Sequence, residues 1–285
     1  MAQHVTAPAV RAGKGWAPLV MVTAYDAPTA RIADDAGVDV ILVGDSVAMV
    51  VLGYDDTLQV TVADMAHHVA AVARTRPRAM VVADLPWLSY HLSTEDAVRN
   101  AAVLVRAGAA GVKLEGGRSR VAVVEALVDA QIPVMGHLGL TPQSVHALGG
   151  YRVQGQQAGA ASALLDDAKA LAAAGCFAIV LECVPREVAR LVTAAVPVPT
   201  IGIGAGPDCD GQVLVLHDLL GLEDRIVPKF VRRYGSLKAD AVAAVAAYAG
   251  DVRARAFPSD AESYHLSEEV AAALGVDRPP STRTA

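Results

Sequence analysis

Short apolar runs alternate along this chain with longer stretches of helical periodicity, and few folds tolerate that pattern. The runs lie at 19–25, 38–43, 79–83, 111–114, 133–136, 177–181 and 198–203, with a weaker eighth at 225–228. They are uniformly apolar rather than alternating, as expected of strands covered on both faces. Helices are expected up to Asp35, over 62–74, from an N-cap at Thr94 to Ala107, and near 119–130. Beyond the last strand, further helices fit 236–255 and 267–274. Eight such units describe a closed α/β barrel of the (β/α)8 (TIM) type with extra C-terminal helices. An open doubly wound sheet would alternate similarly, but no GxGxxG follows the first strand.

Composition fits a covered sheet. Hydrophobic residues make up 53% and aromatic residues only 4%, so Ala, Val, Leu and Ile must build the core. The net charge is −6 without a basic run, which argues against nucleic acid or an anionic membrane as partner. Mean hydropathy is +0.37, yet the uncharged apolar stretch at 170–181 is far shorter than the roughly 20 residues a membrane span needs. The N-terminus lacks the apolar centre of a secretory signal. Cys176, Cys183 and Cys209 suggest neither a disulfide framework nor a zinc site, so a reduced, cytoplasmic protein is expected. A single barrel domain over 1–285 is expected, with its core at about 18–250 and loose ends at 1–15 and 276–285. Residues 141–157 exceed ordinary loop length, and their polar, Gly-rich character suggests a lid or binding segment.

In such barrels, polar residues just past the strand C-termini form the active site. Here those positions hold Asp26, Asp45-Ser46, Asp84, Lys113 with Glu115, His137, Glu182 and the glycines of 202–206. Asp45, Asp84 and Glu115 would repel one another unless a cation or protons intervened. Oxygen ligands without sulfur suit Mg²⁺. The competing reading is that strand-end carboxylates merely cap the following helices. Lys113 and Glu115, two apart on a strand, share a face. Glu182 follows an apolar run, where desolvation would raise its pKa toward that of a general base; a salt bridge to Arg186 is the alternative. His137 could be a ligand, an orienting hydrogen-bond donor or, as is commonest for a lone histidine, a satisfied core residue, and His67-His68 read as helix surface. The glycines of 202–206 could approach a phosphate or simply serve a tight turn. Cys183 is expected to project away from the face of Glu182.

Several motifs then recur in order: VTAYD (22–26), VGDS (43–46), VLGYDDT (51–57), VKLEGG (112–117), GHLGLTPQSV (136–145), GGYRVQG (149–155), LECVP (181–185), IGIGAG (201–206) and PKF (228–230). Together they resemble the ketopantoate hydroxymethyltransferase family over about 18–248. The resemblance implies a barrel of the phosphoenolpyruvate/pyruvate superfamily, assembled as a homodecamer of two pentameric rings. It implies transfer of a one-carbon unit from 5,10-methylenetetrahydrofolate to 3-methyl-2-oxobutanoate in pantothenate synthesis. Asp45 and Asp84 match the family's Mg²⁺ ligands and Glu115 its third metal-site carboxylate. Asp45-Ser46, Asp84 and Lys113 match the oxoacid-binding positions, and Glu182 the proton acceptor. Trp87-Leu88 stand where the family usually has Phe-Gly, and Val47-Ala48 where it often has Leu-Gly; both changes are expected to fill space near the mouth of the site. A magnesium-dependent lyase or phosphonomutase of the same superfamily is the nearest rival, but lyases commonly carry a KKCGH-like loop where this chain reads GHLGLTPQ.

Overall fold

A computed structural model of the chain describes residues 4–223, 225 and 227–277. Eight parallel strands close into a barrel in sequence order: β1 (Leu19–Thr23), β2 (Val40–Val43), β3 (Met80–Asp84), β4 (Gly111–Glu115), β5 (Val134–Gly139), β6 (Ala178–Glu182), β7 (Thr200–Ile203) and β8 (Gly211–Leu214). The helices are α1 (Ala7–Ala12), α2 (Ala27–Asp35), α3 (Val47–Val50), α4 (Val62–Ala73), α5 (Thr94–Ala107), α6 (Val121–Asp129), α7 (Val145–Leu148), α8 (Ala158–Ala173), α9 (Arg186–Ala195), α10 (Leu216–Leu220), α11 (Leu237–Ala254) and α12 (Glu268–Leu274). The closed parallel barrel expected from the apolar runs is therefore present. None of the described helices is long and apolar enough to cross a membrane.

Strand alternation divides the core into two layers. Val22, Ile41, Val43, Val81, Val112 and Leu114 face outward and pack against the helices. Met21, Val40, Met80, Met135, Ala178 and Ile201 face inward and fill the barrel. Helix α1 lies within a stretch expected to be loose, yet it forms because Thr6 caps Ala9 N and a proline occupies its first turn. Its Ala7 and Val10 join the inward layer.

The eighth strand is a correction. Arg225, Val227 and Pro228 are not in a strand, and Ile226 lies outside the described residues. β8 comes earlier because no helix separates it from β7: residues 204–210 make the crossing directly. Parallel crossovers usually take a dozen or more residues, so a helix-length spacing passes over this strand. Thr94 is also corrected: the cap is Ser93, whose hydroxyl accepts from Asp96 N, and Thr94 is the first helical residue. The other helices that were expected, α2, α4, α6, α11 and α12, lie within a few residues of expectation.

Asp210 secures the short crossing. Its carboxylate accepts from Lys14 Nζ at 2.8 Å, Gly15 N at 3.1 Å, Thr200 N at 2.8 Å and Thr200 Oγ1 at 3.2 Å. Replacing it with Ala strands several donors at the β1–β8 closure. Asp210→Ala is expected to lose about 3 kcal/mol of stability, since bonds to a charged acceptor contribute more than neutral ones. Urea unfolding of the wild type and variant measures this, and an unchanged midpoint would contradict it.

The chain forms two compact units, Met1–Gly235 and Ser236–Ala285. The second contains α11 and α12. Ser267 caps α12 by accepting from Val270 N, and the Tyr248 and Phe257 rings meet edge-on at 5.3 Å. Of the ends expected to be loose, residues 1–3 and 278–285 lie outside the described residues.

Candidate active site

Each of the strands β3 to β6 carries at least one ionisable group on the inward face near its C-terminal end. Along β3 the inward series is Met80, Val82, Asp84; along β4 it reaches Lys113 and Glu115; β5 contributes His137 and β6 Glu182. Strand register sets these groups side by side. Asp84 is paired with Lys113, and Glu115 with His137. Lys113 Nζ lies 2.9 Å from Asp84 Oδ1, both side chains being almost fully buried. Lys113 and Glu115 share a face, as their spacing requires.

Asp45 and Ser46 follow β2. The Asp45 backbone N–H donates to Asp84 Oδ2 at 3.0 Å, and Ser46 Oγ lies 2.9 Å from the Tyr25 hydroxyl. Gly139 lets the chain turn beside Glu182. It has φ +93°, and a Cβ there would stand 2.2 Å from the Glu182 carbonyl oxygen.

Crowded charges in a water-poor site shift proton affinities. Burial, then the charges of Asp84 and Glu115, push Asp45 well above the usual carboxylate range; Lys113 and a hydrogen bond from Gln143 oppose this. Burial would drive Lys113 toward its neutral form, but Asp84, Glu115 and Asp45 outweigh it and raise its pKa. Burial and Lys113 likewise depress His137, whereas hydrogen bonds to Glu115 and Glu182 prevail and bring it up to about 9. The His137 Nδ1 faces Glu115 Oε1 at 3.4 Å and Nε2 faces Glu182 Oε2 at 3.1 Å. With the imidazole protonated, the 3.2 Å approach of Lys113 Nζ to Nδ1 brings two donors together.

These groups line the floor of one cavity of about 1010 Å³. Its outer walls include Tyr54, Tyr151, Arg152, Arg186, Lys229 and Phe230. Asp45, Ser46, Asp84, Lys113, Glu115 and Glu182 are thus brought together. Among the described residues, however, no three His, Cys, Asp or Glu side chains form a ready-made metal cage. The oxygen donors still fit a magnesium ion in chemistry. Mg²⁺ commonly takes only one or two protein carboxylates and retains water. Asp84 Oδ1 is buried and, although ion-paired with Lys113, makes no aligned hydrogen bond.

Several expectations change. His137 is part of the site, between two carboxylates, rather than an isolated core histidine. Arg186 does not hold Glu182: its Nε meets Asp208 Oδ2 at 2.6 Å. Cys183 lines the same cavity as Glu182, because its φ of +47° breaks the alternation of β6. Val47 and Ala48 are fully buried in the outer layer, and Trp87 and Leu88 are substantially exposed; none of the four lines the cavity. The glycines of 202–206 are used for close approach to protein. A Cβ at Gly204 would meet the Phe230 ring at 2.8 Å, and one at Gly206 would meet Arg186 at 2.7 Å. His68 is partly buried, with Nδ1 2.7 Å from the Tyr25 carbonyl oxygen. Two participants had no assigned role in the sequence reading, Gln143 and Tyr90. Gln143 lies within the GHLGLTPQSV motif and within the long 141–157 segment, the two signals that mark it.

Comparison with known proteins agrees with the motifs. The family model described as ketopantoate hydroxymethyltransferase matches residues 4–260. The 3-methyl-2-oxobutanoate hydroxymethyltransferase of Methylobacterium sp. (strain 4-46) is 60% identical over 256 residues, covering 90% of this chain and 89% of that protein. Its namesake from Syntrophobacter fumaroxidans (strain DSM 10017 / MPOB) is 54% identical over 269 residues, covering 94% and 95%. The crystal structure of phosphoenolpyruvate phosphomutase from Streptomyces platensis subsp. rosaceus matches with a TM-score of 0.60 over 95% of each chain. At 16% identity that likeness concerns the fold alone. On the family model and these relatives together, the chain belongs to the ketopantoate hydroxymethyltransferase family.

Proposed function

We propose that this chain transfers a hydroxymethyl group from 5,10-methylenetetrahydrofolate to 3-methyl-2-oxobutanoate, giving 2-dehydropantoate for pantothenate synthesis. Family membership supports the reading. The observation that carries it is the floor on which the buried Asp45, Asp84, Lys113, Glu115 and His137 meet the partly exposed Glu182, beneath a cavity roomy enough for a second co-substrate.

Asp45 and Asp84 would hold Mg²⁺, with Glu115 as the third carboxylate, and the bound ion would polarise the oxo group and stabilise charge that develops when C3 loses its proton. Lys113 offsets negative charge on the substrate oxygens, and Asp45-Ser46 and Asp84 complete the oxoacid site. Glu182 takes the C3 proton. His137, 3.1 Å from Glu182 Oε2, is that carboxylate's ionic neighbour without an aligned hydrogen bond in this arrangement. The deprotonated C3 then bonds the folate one-carbon unit, tetrahydrofolate departs, and water supplies the hydroxyl oxygen. The same reading gives a cytoplasmic homodecamer of two pentameric rings.

The test is an assay with both substrates. Product is expected with Mg²⁺, with loss on EDTA treatment and recovery on adding excess Mg²⁺. Absence of product with the metal present would overturn the transferase reading; product undiminished by EDTA would overturn the metal assignment.

A further inference from the structure

The 141–157 segment sends one side chain into the site. Pro142 opens a short 3-10 turn, Pro142–Ser144, that carries Gln143 inward, where it is 5% exposed. Its backbone N–H donates to Glu115 Oε2 at 3.0 Å. Its side-chain Nε2 donates to Asp45 Oδ2 at 2.8 Å and to the Leu85 carbonyl at 3.0 Å, using both amide protons. Its Oε1 accepts from the Tyr90 hydroxyl at 2.6 Å. Tyr90 in turn accepts from Glu115 N at 3.1 Å, which commits its own proton to Gln143 and sets the amide's orientation.

One residue thus holds two carboxylates from different strands, Asp45 after β2 and Glu115 at the end of β4. Carboxylates this buried repel one another, and the single ammonium of Lys113 is shared among Asp84, Glu115 and Asp45. We infer that Gln143 is a positioning residue: it fixes Asp45 and Glu115 in the arrangement that receives the divalent ion, and Tyr90 orients it. This rests on the metal assignment made above. Partners that orient ligating carboxylates typically contribute 10- to 100-fold to metal affinity.

Gln143→Met keeps length and volume but removes both amide donors, while the backbone bond to Glu115 remains. Mg²⁺ titration by calorimetry should show affinity weakened by about tenfold or more. Exchange of the C3 proton of 3-methyl-2-oxobutanoate in D₂O should recover toward the wild-type rate at saturating Mg²⁺, because Glu182 is untouched. A merely structural role would lower the unfolding midpoint without this metal-dependent recovery. Tyr90→Phe, which retains the amide donors and loses their orientation, should weaken Mg²⁺ binding in the same direction and provides the test if Gln143→Met does not fold. Magnesium affinity within twofold of wild type in the folded variants, or tighter binding, would overturn the inference. A wild-type protein that takes up no Mg²⁺ would overturn the metal assignment and this inference with it.

Discussion

Glu182→Gln is expected to abolish exchange of the C3 proton of 3-methyl-2-oxobutanoate with D₂O while leaving the protein folded and able to bind Mg²⁺. Glutamine keeps the shape and can still meet His137, but it cannot accept a proton at neutral pH. Loss of a positioned general base typically costs 10²- to 10⁴-fold in rate. Glu182 lies at the end of β6, its side chain retaining limited access to the cavity, and its recorded ionic neighbour is His137 rather than Arg186. The substitution therefore changes chemistry more than architecture. NMR loss of the C3 proton signal over time gives the rate directly, and calorimetry gives Mg²⁺ affinity separately. Exchange at the wild-type rate would remove Glu182 from the role of base, whatever the fate of overall turnover.

Lys113→Met should act on stability as well as on substrate binding. The ammonium lies 2.9 Å from Asp84, with Asp45 and Glu115 adding to the attraction. Its removal leaves three neighbouring buried carboxylates with less compensation. Breaking a buried pair by deleting one partner costs about 3–5 kcal/mol. For a chain of this size that corresponds to a fall of roughly 5–8 °C in melting temperature. Calorimetric scanning without ligands measures the effect. An unchanged melting temperature would mean that the carboxylates neutralise themselves by taking up protons, and that Lys113 serves substrate alone. Affinity for the oxoacid, measured by titration on the folded variant, separates the two contributions.

Much of the candidate site was legible because strand alternation carries it. Asp84, Lys113, Glu115 and Glu182 each continue an inward series, so their faces followed from counting by twos. Cys183 escaped that rule because a positive φ interrupts the count immediately after Glu182. The segment holding Gln143 was marked by its motif and its length, but the inward direction of that one side chain was not legible, because a 3-10 turn between strands has no periodicity from which a direction can be read. For His137 the core reading was favoured over an orienting role because a single histidine gives no sign of its partners, and the partners come from β4 and β6. Similarly, Ser93 and Thr94 are both good caps, and only the bond to Asp96 N distinguishes them. β8 was missed because its signal was weak and its connection lacked a helix.

Closure of β1 against β8 has a consequence during synthesis. Leu19 pairs in register with Gly211, so β1 leaves the ribosome long before the strand that covers its outer edge. At about 5–20 residues per second, the interval is roughly 10–40 s. Throughout it, an uncovered apolar edge can template pairing between nascent chains. Pauses in translation upstream of Gly211 lengthen that exposure, and a high concentration of nascent chains raises the chance that two such edges meet, so overproduction from many transcripts favours aggregation and a low level of synthesis favours closure.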